Sequence, residues 1–242
     1  MSLREDVLPK DITDELKKLL DTLPAVKYEP EEVTKLDESA KVNPHSSYGV
    51  SKAAVDSMVQ VRWKENKTPC IALRQFNCVG ERETHPYIVP EIISQLYPQR
   101  HQAEAEVYLG NNSTRDFLYA GDAVRMAVEL LEKGQFGEVY NLGSESSIKM
   151  YDLAEMIGKI FTTKVKVIQD PKRVRPWEIW HLQSNNSKIY SVIDSRPTVN
   201  LPYALFKTVE YYASHYRDWE TDRKSTRLNS SHRSLSRMPS SA

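Results

Sequence analysis

The chain has 242 residues, 40% of them hydrophobic and 27% charged, and its formal net charge is zero. That composition can bury one substantial domain, or one and a half, and it removes the electrostatic case for nucleic acid or an anionic membrane surface as a partner. With no apolar run near the roughly 20 residues of a membrane span and an amino terminus too charged for a secretory signal, a cytoplasmic protein is expected.

Residues 1–43 are charged and punctuated by proline, with one short amphipathic helix expected around Ile12–Leu23, capped by Asp11 or Thr13. A loop over 42–46 leads into a helix expected from about Ser47 to Asn66. The compact apolar run from Thr68 to Phe76, bounded by Pro69 and Asn77, reads as a buried parallel strand. Cys70 and Cys78 fall in this strand-to-loop segment and form neither a disulfide framework nor a metal spacing. Residues 86–98 suggest a short helix with Pro90 in its first turn.

Val107–Gly110 and Arg115–Tyr119 read as short strands joined by a turn over 111–114. Asp122 is expected to cap a helix running to about Lys133, with Val124, Ala127, Val128, Leu130 and Leu131 as its apolar side. A strand over 138–142 ends at Gly143, with Asn141 and Gly143 shaping the turn. Then come a helix over 150–161, an alternating strand over 164–168, and helices over 183–195 and 201–216. Strand and helix alternate through the middle, which favours an α/β fold. Residues 221–242 are rich in Ser and Arg with almost nothing to bury. They read as a disordered tail of cloning or adapter origin rather than as a basic arm for nucleic acid.

Within the second helix, Tyr48 and Lys52 lie four residues apart and so on one face. A phenol is a poor base at neutral pH, and a cation held beside it favours the phenolate. Such a pair can take a proton from a substrate hydroxyl. The spacing alone is weak, because Tyr203 and Lys207 repeat it and read as helix packing. All eight glycines lie at or after Gly49, so the glycine-rich first turn of a dinucleotide fold is nowhere in the sequence.

Four separated motifs fall in order along the chain: Tyr48 to Lys52, Arg74 to Gly80, Arg115 to Asp122, and Tyr140 to Ser144. Arg173-Val174-Arg175-Pro176 and Ser187-Lys188 complete the set. From about Asp37 to about Tyr216 this order resembles the NAD-dependent epimerase/dehydratase family, the extended short-chain dehydrogenase/reductases that act on nucleotide sugars. It is most similar to the sugar 4,6-dehydratases. The resemblance implies the C-terminal part of a Rossmann-like parallel sheet plus a smaller α/β substrate-binding lobe. On that reading, 44–145 complete the Rossmann-like domain with its Tyr/Lys helix, 146–220 form the lobe, and 1–43 are a charged segment or insertion. The family's glycine fingerprint, its ribose-binding acidic residue, its triad Ser/Thr and its T-D-E run are not identifiable. The chain is therefore expected to be the C-terminal part of a longer enzyme and inactive alone.

The resemblance also implies roles. Tyr48 deprotonates the sugar 4-hydroxyl while NAD, or NADP, accepts hydride, and Lys52 lowers the pKa of Tyr48 and bonds the cofactor ribose. Asn77 contacts the sugar or its phosphate; a turn-forming asparagine is the alternative. Arg115 and Arg175 bind the diphosphate through their planar forks, against a structural pairing of Arg115 with Asp116 or Asp122. Arg74 is expected in an internal ion pair. His85 lies beside the presumed site, a base or sugar contact or simply a loop histidine. Trp177 and Trp180 either stack on the base or pack in the core. The implied partners are a nucleotide sugar and a second copy in a homodimer. The rival reading is a non-catalytic module that keeps the substrate lobe.

Overall fold

The computed structural model describes residues 35–44, 46–176 and 178–215. The helix expected at 12–23, the segment 221–242 and Trp177 lie outside them. Helix α1 (Ser47–Asn66) begins where the extended Ser46 accepts the Gly49 amide on its side chain, at 3.0 Å. It ends at Lys67, whose left-handed φ of 53° lets its N–H reach the carbonyls of Arg62 and Trp63. None of its 20 residues is buried.

Strand β1 (Ala72–Gln75) pairs in parallel with β5 (Val139–Leu142). The chain then passes through Phe76 into β2 (Asn77–Val79), parallel to β4 (Thr114–Tyr119). Asn77 is thus the first residue of a second strand rather than the residue that ends the run. β4 also takes β6 (Ser147–Lys149) antiparallel and β8 (His181–Leu182) in parallel. β3 (Glu104–Leu109) pairs in parallel with β7 (Lys164–Gln169). β3 and β4 therefore belong to different sheets and do not form the hairpin that their spacing suggests. The turn residue Asn111 is buried and donates instead to the Arg175 carbonyl, at 3.0 Å, and to Glu178, at 3.1 Å.

Helix α2 (Ile88–Leu96) buries Val89, Ile92, Ile93 and Leu96, with Pro90 in its first turn as expected. Two glutamines follow the outer edge of β3. Gln95 accepts from the Tyr108 amide (2.8 Å) and donates to its carbonyl (3.2 Å). Gln99 does the same with Glu106, at 3.0 Å each way. Helix α4 (Met150–Ile160) packs against the β3–β7 pair. Together with Leu205, Val209 and Tyr212 of the helix over 201–215 (α6), these elements form one core. A second core joins Leu118, Met126, Leu130, Tyr140 and Leu142 to Ile189 of the short helix α5 (Ser187–Tyr190) and to Ile193. The helix expected over 183–195 is reduced to this single turn. The β3–β7 pairing joins residues from either side of position 145.

Helix α3 (Ala120–Lys133) corrects the sequence reading in two respects. Asp122 is not its cap; Tyr119 holds that position without a side-chain bond. Asp122 is 2% exposed and accepts from the Thr198 amide and hydroxyl, the Val199 amide and Arg125, all within 2.9 Å. Burying that carboxylate turns Ala123, Met126 and Leu130 inward. Val124, Val128 and Leu131, expected in the core, are left 65%, 53% and 63% exposed. Among the described residues no helix is long and apolar enough to cross a membrane.

Asp116 ties three segments together. Fully buried, it accepts from Ser144 (N 2.7 Å, Oγ 2.6 Å), from the Glu145 amide (3.1 Å) and from Ser184 (N 2.9 Å, Oγ 2.7 Å). A Cβ on Gly143 would collide with the Ser184 hydroxyl and the Asp116 carboxylate, so glycine is required there. Glu145 holds a left-handed φ of 61° to aim its amide at Asp116.

Glu83, in the loop after β2, is a different kind of acid. Its Oε2 is buried without a hydrogen-bond partner among the described residues, and burial pushes its carboxyl up to about 8. The groups it faces, Cys78 and Tyr212, offer no positive charge; burial raises both of them, and Glu83 adds to the effect. A folded-state pKa above the unfolded one means the fold holds the extra proton. The stability contribution is then full below about 4.5 and lost as pH rises through about 8. Glu83→Gln is expected to match the wild-type melting temperature at pH 4 and to exceed it increasingly from pH 5 to 8. Parallel melting curves for the two proteins would refute the assignment.

Candidate active site

Tyr48 stands in the first turn of α1, 71% exposed, with the Lys52 ammonium 5.4 Å from its ring centroid. The one-face geometry expected from the spacing is present, with the ammonium directed at the ring. The helix is fixed to β1 by Arg74, which holds both Asp56 oxygens at 3.0 and 2.9 Å and the Glu38 carbonyl at 2.9 Å. Arg74 is therefore an internal ion-pair residue, as expected. The bond also sets the direction of α1. Asp56 lies beside the carboxyl-terminal half of β1, while Trp63 lies over Gly137 and packs on Phe136 at 6.0 Å, where β5 begins. Tyr48, eight residues before Asp56, lies about 12 Å further along, beyond the carboxyl ends of β1 and β5. Open α/β sheets bind ligands at that end. Asn77 is close to the same end, half-buried, and its side chain has no hydrogen-bond partner among the described residues.

A polar network joins the other candidates. The Arg115 guanidinium pairs with Glu178 at 2.5 Å and donates to the carbonyls of Thr114 (2.7 Å) and Ile179 (2.6 Å). Its acidic partner is thus Glu178, neither Asp116 nor Asp122. Glu178 also receives Asn111, which bonds the backbone of Arg175. The Arg175 side chain is exposed, without an ion-pair partner among the described residues. On the other side of this loop Arg173 meets Glu91 at 2.7 Å, and Glu91 meets the His85 ring at 3.0 Å. His85 is consequently a half-buried loop residue in an ion-paired chain. The hydrogen bond from His85, and then Arg173, hold the Glu91 carboxyl at about 2 against the opposing effect of burial. Gly110 lets the loop close, since a Cβ there would strike the Arg173 carbonyl.

Glu91, Asn111 and Glu178 carry this network; the sequence reading placed Asn111 in a turn and gave none of the three a role at the site. Apart from His85, six residues before Glu91, the partners that tie these residues into the network are 63 to 82 residues distant, and no local spacing marks such pairs. Trp180 is 57% exposed and does not pack in the core. The second Tyr/Lys pair lies on α6, where Lys207 is 5.9 Å from the Tyr203 ring and 3.7 Å from Glu81.

Residues 29–208 match the family model described as GDP-mannose 4,6 dehydratase. Human dTDP-D-glucose 4,6-dehydratase is 30% identical over 193 residues, which cover 78% of this chain and 54% of the human protein. The chain spans about half the length of the curated relatives it matches. Among solved structures, dTDP-glucose 4,6-dehydratase from Bacillus anthracis in complex with NAD superposes with a TM-score of 0.68 at 21% identity, covering 79% of this chain and 60% of that one. A UDP-glucuronic acid 4-epimerase mutant from Bacillus cereus, solved with a fluorinated UDP-sugar and NAD, gives 0.66 at 25% identity, covering 74% and 56%. With the family model matched over about three quarters of its residues, this chain belongs to the GDP-mannose 4,6 dehydratase family.

Proposed function

We propose that this chain carries the proton-transfer and substrate-binding part of a nucleotide-sugar 4,6-dehydratase or epimerase. The observation that carries the reading is the Tyr48–Lys52 pair, held beyond the carboxyl end of β1 in a chain of this family. Tyr48 takes the proton of the sugar 4-hydroxyl. Lys52 favours the phenolate and bonds the cofactor ribose. NAD or NADP, when bound, supplies the hydride acceptor at C4. The residues present fit one end of such a dinucleotide, an exposed phenol and ammonium; no glycine precedes Gly49 to make a pyrophosphate turn. A homodimer and a cytoplasmic location belong to the same reading.

Asn77, whose side chain has no hydrogen-bond partner among the described residues, contacts the sugar or its phosphate. To the diphosphate Arg175 presents a guanidinium without an ion-pair partner among the described residues, and His85 lines the loop beside it. Arg115 is engaged by Glu178, so a diphosphate must displace that carboxylate or share the fork with it.

In the active enzyme, Tyr48→Phe is expected to lower turnover of dTDP-glucose or GDP-mannose roughly 10²–10⁴-fold and to leave substrate affinity unchanged. A mutant with wild-type turnover would remove Tyr48 from the chemistry.

Arg115 and Glu178 give a second test. Arg115→Ala should raise KM for the nucleotide sugar about 10–150-fold with a smaller effect on kcat. Glu178→Gln, which releases the fork, should tighten dTDP binding measured by calorimetry. If both variants lower the melting temperature while binding stays the same, Arg115 is a structural ion-pair partner and nothing more.

A further inference from the structure

Three carboxylates punctuate the run from the end of β2 through α2, and two of them have partners. Glu81 receives the Tyr119 phenol on both oxygens, at 3.2 and 3.0 Å, with the Lys207 ammonium of α6 at 3.7 Å. Glu91 holds the His85 ring and Arg173. Glu83 lies between them in sequence, and its Oε2 is buried with no hydrogen-bond partner among the described residues.

The groups around Glu83 offer an anion nothing. Burial raises the Cys78 thiol on β2 and the Tyr212 phenol on α6, and Glu83 pushes both further, as do Asp116 of β4 on Cys78 and Tyr211 on Tyr212. The nearby cations are engaged elsewhere, Lys207 with Glu81 and Arg173 with Glu91 and Asp170. Neither they nor the adjacent Arg82 offset the effect of burial on the Glu83 carboxyl. An anion buried without a donor is too costly to keep, so ionisation must move the side chain.

The loop is able to move before the core does. Among the described residues, the backbone bonds within 80–87 are the Glu83 amide to the Gly80 carbonyl, at 3.4 Å, and the Tyr87 amide to the Thr84 carbonyl, at 3.2 Å. Arg82 is held at a left-handed φ of 68°, a conformation that persists only while its surroundings impose it. On either side the structure is firm: β2 pairs with β4, and α2 buries Val89, Ile92 and Ile93. A segment with few bonds between two firm elements is the kind that opens locally. His85 follows Glu83 by two residues, and its contact continues through Glu91 and Arg173 to the loop that presents Arg175.

We propose that Glu83 is a proton-operated latch on loop 80–87. Neutral, it keeps the loop closed against β2 and α6. Ionised, it leaves its pocket, opens the loop and parts His85 from Glu91. The proton is released to solvent on opening and taken back on closing. Closure is therefore favoured fully below about pH 4.5, and each pH unit from there to about 8 shifts the balance up to about tenfold toward the open loop. The consequence for ligand binding rests on the proposed function, through His85 and Arg175; the latch itself does not.

Amide exchange on the whole chain from pH 5 to 9, corrected for the intrinsic exchange rate, tests the latch, with Glu83→Gln as a form that cannot ionise. In the wild type the protection of the Glu83 and Tyr87 amides should fall at least about tenfold between pH 6 and 8. In Glu83→Gln the protection of residue 83 and Tyr87 should stay level, while the β3–β7 amides remain protected in both proteins. Glu132→Gln, on the exposed side of α3, should follow the wild type. Calorimetry with dTDP at pH 7 and 9 should show binding weakened about 3–10-fold in the wild type and unchanged in Glu83→Gln. Equal exchange profiles in the two proteins overturn the latch. So does loss of β3–β7 protection together with the loop, because the charge then unfolds the core. If Glu83→Gln does not fold, the wild type decides alone, and loop protection that ignores pH overturns the proposal. Affinity for dTDP that is the same at both pH values while the loop opens overturns its regulatory role. If the loop opens as described and dTDP binds at neither pH, the proposed nucleotide-sugar site is refuted and the latch stands.

Discussion

Five hydrogen bonds converge on the Asp116 carboxylate, and the geometry of the candidate site depends on them. Donors from Ser144, Glu145 and Ser184 bring the β5–β6 turn and the segment after β8 onto β4. A buried carboxylate with this many donors is stable as an anion and costly to leave unmet. Successive residues of a strand point to opposite faces, so fixing Asp116 inward commits Arg115 to the other face, where Glu178 meets it. The guanidinium is thus aimed by a carboxylate that it does not touch.

Two further carboxylates work in the same manner. Asp122 gathers Thr198, Val199 and Arg125, and so joins α3 to the approach to α6. Glu91 joins the loop after β2 to the Arg173 loop through His85. Each acid links elements that are distant in sequence, and each is met by donors from the protein. Glu83 is the exception, and the protein meets its burial by keeping the proton.

This pattern explains what was legible in the sequence. α1 could be read because its start and stop are local: Ser46 caps it, and the segment beyond Asn66 breaks its period. β1, β7 and α4 carry their own periodicity, and so appeared near their true places. The inward face of α3 could not be read, because Ala123, Met126, Val124 and Val128 offer two apolar sides. Only the distant Thr198 and Val199 decide between them, by drawing Asp122 inward. The β3–β4 turn looked like a hairpin connection until Asn111 found its partners 64 and 67 residues away. Of the candidate residues, the shared face of Tyr48 and Lys52 was legible from their spacing, but Tyr203 and Lys207 repeat that geometry, and only the order of the surrounding motifs set the two pairs apart. The acid that engages Arg115 was not, because nothing near Arg115 in sequence points to Glu178.

Gln95 of α2 and Gln99, in the turn just beyond it, have a consequence for how the protein avoids uncontrolled polymerisation. Gln95 and Gln99, one helical turn apart, offer an amide to each outward-facing residue of β3 at Glu106 and Tyr108, as a neighbouring strand would. On the opposite strand of that sheet, the side chains of Lys164 and Lys166 are 80% and 58% exposed and would repel a like strand. Fibrillar stacking needs a sheet that can be extended from both sides. Here one pair of strands is blocked at both margins, and β5 is covered by the segment around Leu36 and Glu38. Strand addition at β3 is therefore refused before it starts, because the two glutamine side chains already make the bonds that a new strand would make.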